Sequence, residues 1–171
     1  MPRIINNKNI REGVRSIVLT AIRKTMKPYW FVTFHYREGN CSEDKILKNV
    51  NHIKNKLKRI SYKSRDKSKN NNGFKYPRMI FFNEVSRCGI SELHTHMIME
   101  AMPPSLNSHE RMKNLFTHVL PVQIRSLSTW KRNDIQLINN SNNNILRLVN
   151  YLTKESDQDR ISLDIFNSDL N

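Results

Sequence analysis

Apolar positions along this chain fall into stretches that repeat at 3.6 residues or at two, and the switches between them mark element boundaries. From Ile10 to Ile22 the residues Ile10, Val14, Ile17, Val18, Ala21 and Ile22 recur at helical spacing while Arg11, Arg15 and Arg23 take other faces, so a helix is expected there. Pro28 closes that stretch. The run Tyr29 to Tyr36, YWFVTFHY, is aromatic and β-branched and reads as a buried strand. Asn40 or Ser42 can cap a second helix reaching about Ile60, with Ile46, Leu47, Val50, Ile53 and Leu57 on one stripe and lysines on the other.

Residues 61–76, SYKSRDKSKNNNGFKY, have no apolar period and read as a flexible basic loop. Met79 to Val85 and Leu93 to Met99 then form a strand hairpin, closed by Pro103 and Pro104. A helix is expected from Ser108 to Leu120, with Met112, Leu115, Phe116 and Val119 on one face, until Pro121 interrupts it. Asp134 to Ile138 reads as a short strand. The asparagine-rich turn 139–144 caps a last helix whose buried stripe is Ile145, Leu148, Val149 and Leu152. Residues 157–171 lose periodicity, turn acidic and read as a loosely held tail. The order helix, strand, helix, hairpin, helix, strand, helix predicts an α+β fold, a mostly antiparallel sheet flanked by helices and related to the split βαβ arrangement.

The length of 171 residues suits one domain, with residues 1–28 as a basic N-terminal helical arm. No apolar run approaches the roughly 18 residues of a membrane span, and no signal peptide is visible, so the expected location is the cytoplasm. Cys41 and Cys88 lack zinc-ligand or CxxC spacing, which fits a reducing compartment. There is no GxxxxGK phosphate loop. Charge changes the picture most. Twenty-nine Lys and Arg against fifteen Asp and Glu leave a net +14, the footprint of a protein that meets a polyanion, with nucleic acid the first candidate and no membrane partner needed.

His94 and His96 stand two apart on an expected strand, and therefore on one face about 7 Å apart at Cα, a workable separation for gripping one cation. Glu84 joins them if the hairpin register puts it on their face, and Glu92 is the fallback. Tyr151 and Lys154 are neighbours on the last helix, at the edge of its apolar stripe. By themselves these two are equally a boundary tyrosine and a solvated lysine near a helix C-terminus.

Taken together, FVTF at Phe31 to Phe34, HTH at His94 to His96 followed by apolar residues, DIQLI at Asp134 to Ile138, and YLTK at Tyr151 to Lys154 resemble the ordered motifs of HUH-superfamily rolling-circle replication initiators. The resemblance spans roughly Tyr29 to Glu155. It implies a five-stranded antiparallel sheet carrying the histidines and a single-tyrosine member, since positions 147 and 155 hold Arg147 and Glu155. It also implies that Tyr151 is the nucleophile, that Lys154 assists it, and that Mg²⁺ or Mn²⁺ is held by His94, His96 and Glu84.

The substrate implied is single-stranded DNA at a replication origin or hairpin, with a separate helicase as partner, and a nuclear location if the chain belongs to a virus of a eukaryotic host. Lys63, Arg65, Lys67, Lys69, Lys131, Arg132 and Arg147 are the candidate backbone contacts, and Trp30, Tyr36 and Trp130 the aromatics considered for base stacking, Trp30 being the more natural core residue. A relaxase or single-tyrosine transposase shares the same chemistry, and a non-catalytic nucleic-acid-binding module shares a similar sheet.

Overall fold

A computed structural model describes residues 7–36, 42–63, 76–84, 94–125, 127, 133–154, 156 and 162–171. In chain order the elements are α1 (Asn7–Thr25), β1 (Pro28–His35), α2 (Glu43–Lys63), β2 (Met79–Glu84), β3 (His94–Glu100), α3 (His109–Asn114), a π-helical turn (Leu115–Val119), α4 (Leu120–Gln123), β4 (Asp134–Leu137) and α5 (Asn142–Leu152). The strands form one antiparallel sheet in the order β2-β3-β1-β4. The expected α+β class stands, but among the described residues the sheet has four strands rather than five. No described helix is long and apolar enough to cross a membrane.

Period-two alternation splits the sheet into two cores. Trp30, Val32 and Phe34 of β1, Met79 and Phe81 of β2, and Met97 and Met99 of β3 point to one side. There they meet the α2 stripe of Ile46, Val50, Ile53 and Leu57, together with Met112, Phe116 and Leu120. The alternate residues Ile80, Phe82 and Ile98 point to the other side and meet Val14, Val18, Ala21 and Ile22 of α1 and Val149 and Leu152 of α5. A helix presents only part of its circumference to a sheet, so Ile17 and Leu47, counted into the apolar stripes by spacing, end up exposed.

Three elements depart from the expected outline. The α2 helix continues through Lys63, so the first residues of the expected loop are helical, and residues 64–75 lie outside the described residues. Pro121 does not end its helix. The preceding backbone widens into the π turn, where the Leu120 N–H reaches the Leu115 carbonyl, and Pro121 falls in the first turn of α4, where proline is tolerated.

The third departure is the C-terminal segment, where residues 162–171 are docked rather than loose. Asn83 donates its backbone N–H to Ser162 O, Asp164 donates its own to Phe81 O, and Leu163 pairs with Phe82 along the outer edge of β2. Asp169 then accepts the Met79 backbone N–H at 3.0 Å and pairs with Lys54 Nζ at 2.6 Å. An edge strand leaves a row of unsatisfied N–H and C=O groups, and this segment satisfies several of them.

Candidate metal centre

The register of the hairpin decides the site. Glu84 lies directly opposite His94, and Phe82 opposite His96, so Glu84, His94 and His96 share the sheet face that α1 and α5 cover. Glu84 and His96 are buried, and His94 is partly buried at the margin. His94 Nε2 is 3.1 Å from Glu84 Oε2, and His96 Nε2 is 3.7 Å from Glu84 Oε1. The three residues each offer a donor atom, all within 4.8 Å of one another.

The first strand supplies the supporting groups, which sequence reasoning passed over. β1 runs antiparallel to β3 with Thr33 opposite His96 and His35 opposite His94. Thr33 Oγ1 is 2.9 Å from His96 Nδ1, the Phe31 ring stacks on His96 at 5.2 Å, and the His35 ring stacks on His94 at 5.4 Å. The signal was present as the odd-numbered alternation Phe31, Thr33, His35, which two-residue periodicity puts on the histidine face once β1 is paired with β3.

The chemistry of the donor set fits a divalent cation. Neither His96 Nε2 nor Glu84 Oε1, both buried, has a hydrogen-bond partner, and in the tautomer that donates Nδ1–H to Thr33 the Nε2 lone pair faces the carboxylate oxygen. Two facing acceptors in a buried place are costly unless a cation lies between them. Protonation states agree. Burial pushes His96 down to about 4 from its ordinary 6.5, against the pull of Glu84 and with further help from the charges of His94, Lys154 and His35. Burial works to raise the Glu84 carboxyl, but the hydrogen bond from His94 and the charges of His96, His94 and Lys154 outweigh it and hold the group below its ordinary 4.5. A neutral imidazole beside an ionised carboxylate is the state that ligates metal. Two imidazoles and one carboxylate suit first-row divalent ions such as Mn²⁺.

Tyr151 reaches the same place from the helix layer. Ser141 caps α5 by accepting the Asn144 N–H, and Val149 and Leu152 bury that helix against the sheet. The Tyr151 ring consequently stands 5.6 Å from the His96 ring, edge to face, and remains 45% exposed. Lys154 Nζ lies 4.0 Å from the centre of the Tyr151 ring. A buried acidic and imidazole cluster thus has a solvent-accessible phenol and an ammonium at its rim.

The remaining expected contacts are dispersed. Arg147 is exposed on α5. Lys63 is at the end of α2, on the other side of the sheet, and nothing is described of its side chain. Arg65, Lys67, Lys69, Glu92, Trp130, Lys131 and Arg132 lie outside the described residues. Trp30 is fully buried with its indole N–H on Asn107, and Tyr36 is buried with its hydroxyl on Thr95, so both belong to the core rather than to a base-stacking surface. Comparisons with protein-family models, with curated proteins and with solved structures find no match for this chain.

Proposed function

We propose that this chain is a metal-dependent tyrosine endonuclease and strand transferase that nicks and rejoins single-stranded DNA at specific sites, as an HUH-type rolling-circle replication initiator does. One observation carries the reading: an exposed tyrosine ring lies 5.6 Å from an imidazole of a buried two-histidine, one-glutamate cluster. The surplus of positive charge is the second support, since it suits a phosphodiester substrate.

In this reading His94, His96 and Glu84 hold Mg²⁺ or Mn²⁺, which when bound supplies Lewis-acid polarisation of the scissile phosphate. Thr33 fixes the His96 ring so that Nε2 faces the site. Tyr151 Oη forms a bond to phosphorus as the bond to the 3′ oxygen breaks, giving a 5′-phosphotyrosine and a 3′-hydroxyl. The phenolic proton leaves to solvent, which reaches the exposed ring, and the departing 3′ oxygen takes its proton from solvent. Lys154 contributes positive charge beside the ring and the phosphate. The reverse attack by a 3′-hydroxyl restores the DNA strand without ATP, because the phosphotyrosine bond conserves the phosphoester.

The test is adduct formation. Incubating the protein with end-labelled single-stranded DNA pools and Mn²⁺ is expected to give a denaturation-resistant protein–DNA adduct that EDTA prevents. Tyr151→Phe is expected to lose the adduct and keep DNA binding. An adduct that survives Tyr151→Phe assigns the nucleophile elsewhere, and binding without any adduct in the unaltered protein assigns the chain to non-catalytic nucleic-acid binders.

A further inference from the structure

The α2 helix carries a second feature that the candidate metal centre does not use. After Asp44 it has no acidic residue through Lys63, while it holds seven lysines and arginines. Its apolar stripe of Ile46, Val50, Ile53 and Leu57 is fixed in the core on the side of the sheet away from Glu84, His94, His96 and Tyr151. Opposite that stripe, Lys48, His52, Lys56 and Arg59 line a shallow groove with Asn51 and Asn55. These positions recur at four and three residues and so form one ridge.

Among the described residues the cations of this ridge, Lys48, Lys56 and Arg59, form no ion pair. Their neighbour Lys54, by contrast, is held by Asp169 at 2.6 Å, and Lys58 sits over the Tyr76 ring at 4.0 Å. Asn55 Nδ2 donates to Asn51 Oδ1 at 3.1 Å, so the groove between the cations is lined by ordered amides that add neutral donors and acceptors. From Lys48 to Arg59 the ridge runs about 16 Å at 1.5 Å per residue. That length, on a helix anchored along its opposite face, presents several cations at a set spacing to an extended chain of phosphates.

We infer that the Lys48–Arg59 ridge of α2 is a second phosphodiester-backbone site, on the sheet side opposite the candidate metal centre, which holds nucleic acid without reading its sequence. The inference rests on the nucleic-acid reading of the chain and not on the tyrosine chemistry. The chemistry recognised is a row of phosphates, which single strands and duplexes both offer. Arginine and lysine points of contact with no phenylalanine, tyrosine or tryptophan between them position a backbone rather than distinguish bases.

The experiment compares two variants of equal net charge. Lys48→Gln, Lys56→Gln and Arg59→Gln together remove three cations from the ridge. Lys24→Gln, Lys113→Gln and Arg125→Gln together remove three exposed cations from α1, α3 and the turn after α4. Binding of the full chain to a random-sequence 30-mer, single-stranded and as a duplex, is titrated against salt. Each lost phosphate contact lowers the log–log salt slope by about 0.9 on duplex or about 0.7 on single strands.

The ridge variant is expected to lose a slope of about 2 to 3 on the preferred form and to bind it at least ten-fold more weakly at low salt. The scattered variant is expected to keep most of both. Equal losses in the two variants would show a net-charge effect and overturn the site, as would an unchanged slope in the ridge variant. Circular dichroism melts of both variants establish that the fold is retained. Adduct formation by the unaltered protein is scored separately, so failure of the tyrosine chemistry and failure of this site are distinguishable.

Discussion

Glu84 Oε1 and His96 Nε2 face each other at 3.7 Å across two paired strands, and neither atom has a hydrogen bond. A shared cation would satisfy both atoms. Titration with Mn²⁺, followed by electron paramagnetic resonance or calorimetry, is expected to show one bound ion per chain, with affinity reduced ten-fold or more in Glu84→Gln and in His96→Asn. At one hundred times the dissociation constant the ion should stabilise the fold by about 2.7 kcal/mol. Thermal melts unaffected by Mn²⁺ would remove the metal assignment.

Thr33 acts through His96, whose Nδ1 it meets at 2.9 Å. Thr33→Val keeps the shape of the side chain and removes the hydroxyl, so Mn²⁺ affinity should fall by about 10- to 100-fold. Thr33→Ser should restore most of it. A Thr33→Val protein that binds metal normally would show that Phe31 stacking alone orients the ring.

Folding stability of the metal-free protein should depend on acidity through His96. The folded group titrates near 4 because burial disfavours its charged form, and in the unfolded chain it titrates near 6.5. Between those values the unfolded state binds more protons, so stability falls as pH drops from 6.5 towards 4 and this contribution levels off below. The shift corresponds to a loss on the order of 3 kcal/mol. Glu84, held below its ordinary value, adds a further loss as the pH falls through its own range. Urea melts at pH 7.5, 5.5 and 4.5 should show the wild type losing more stability than His96→Phe. Parallel curves would refute the assignment.

The docked C-terminal segment predicts a stability defect of its own. Leu163→Ala empties a buried position against Phe82 and should cost about 2 to 3 kcal/mol. Asp169→Ala leaves the Met79 N–H without its acceptor and Lys54 with only the Asn167 carbonyl, and should cost about 2 kcal/mol. Denaturant midpoints measure both, and a segment that contributes nothing would leave them unchanged.

What the chain determined alone was local. Spacing placed the helices and strands because each buries a stripe of period 3.6 or a face of period two, and it put His94 and His96 on one side of a strand whatever that strand paired with. It also made the second helix basic on one flank and apolar on the other, with no acid after Asp44. Other relationships needed the tertiary structure because they join residues that no local period connects. The pairing of Glu84 with His94 depends on hairpin register, which shifts every side chain to the other face with one residue of slip. Thr33 becomes a partner of His96 only when β1 pairs with β3, and Tyr151 meets that ring only when α5 docks across the same face. Residues 162–171 look like an acidic tail because their order comes from an unpaired strand edge and from Lys54, more than a hundred residues away from Asp169 in the chain. Long-range hydrogen bonds and burial leave no periodic mark on the segment that receives them, and these were the contacts that completed the site.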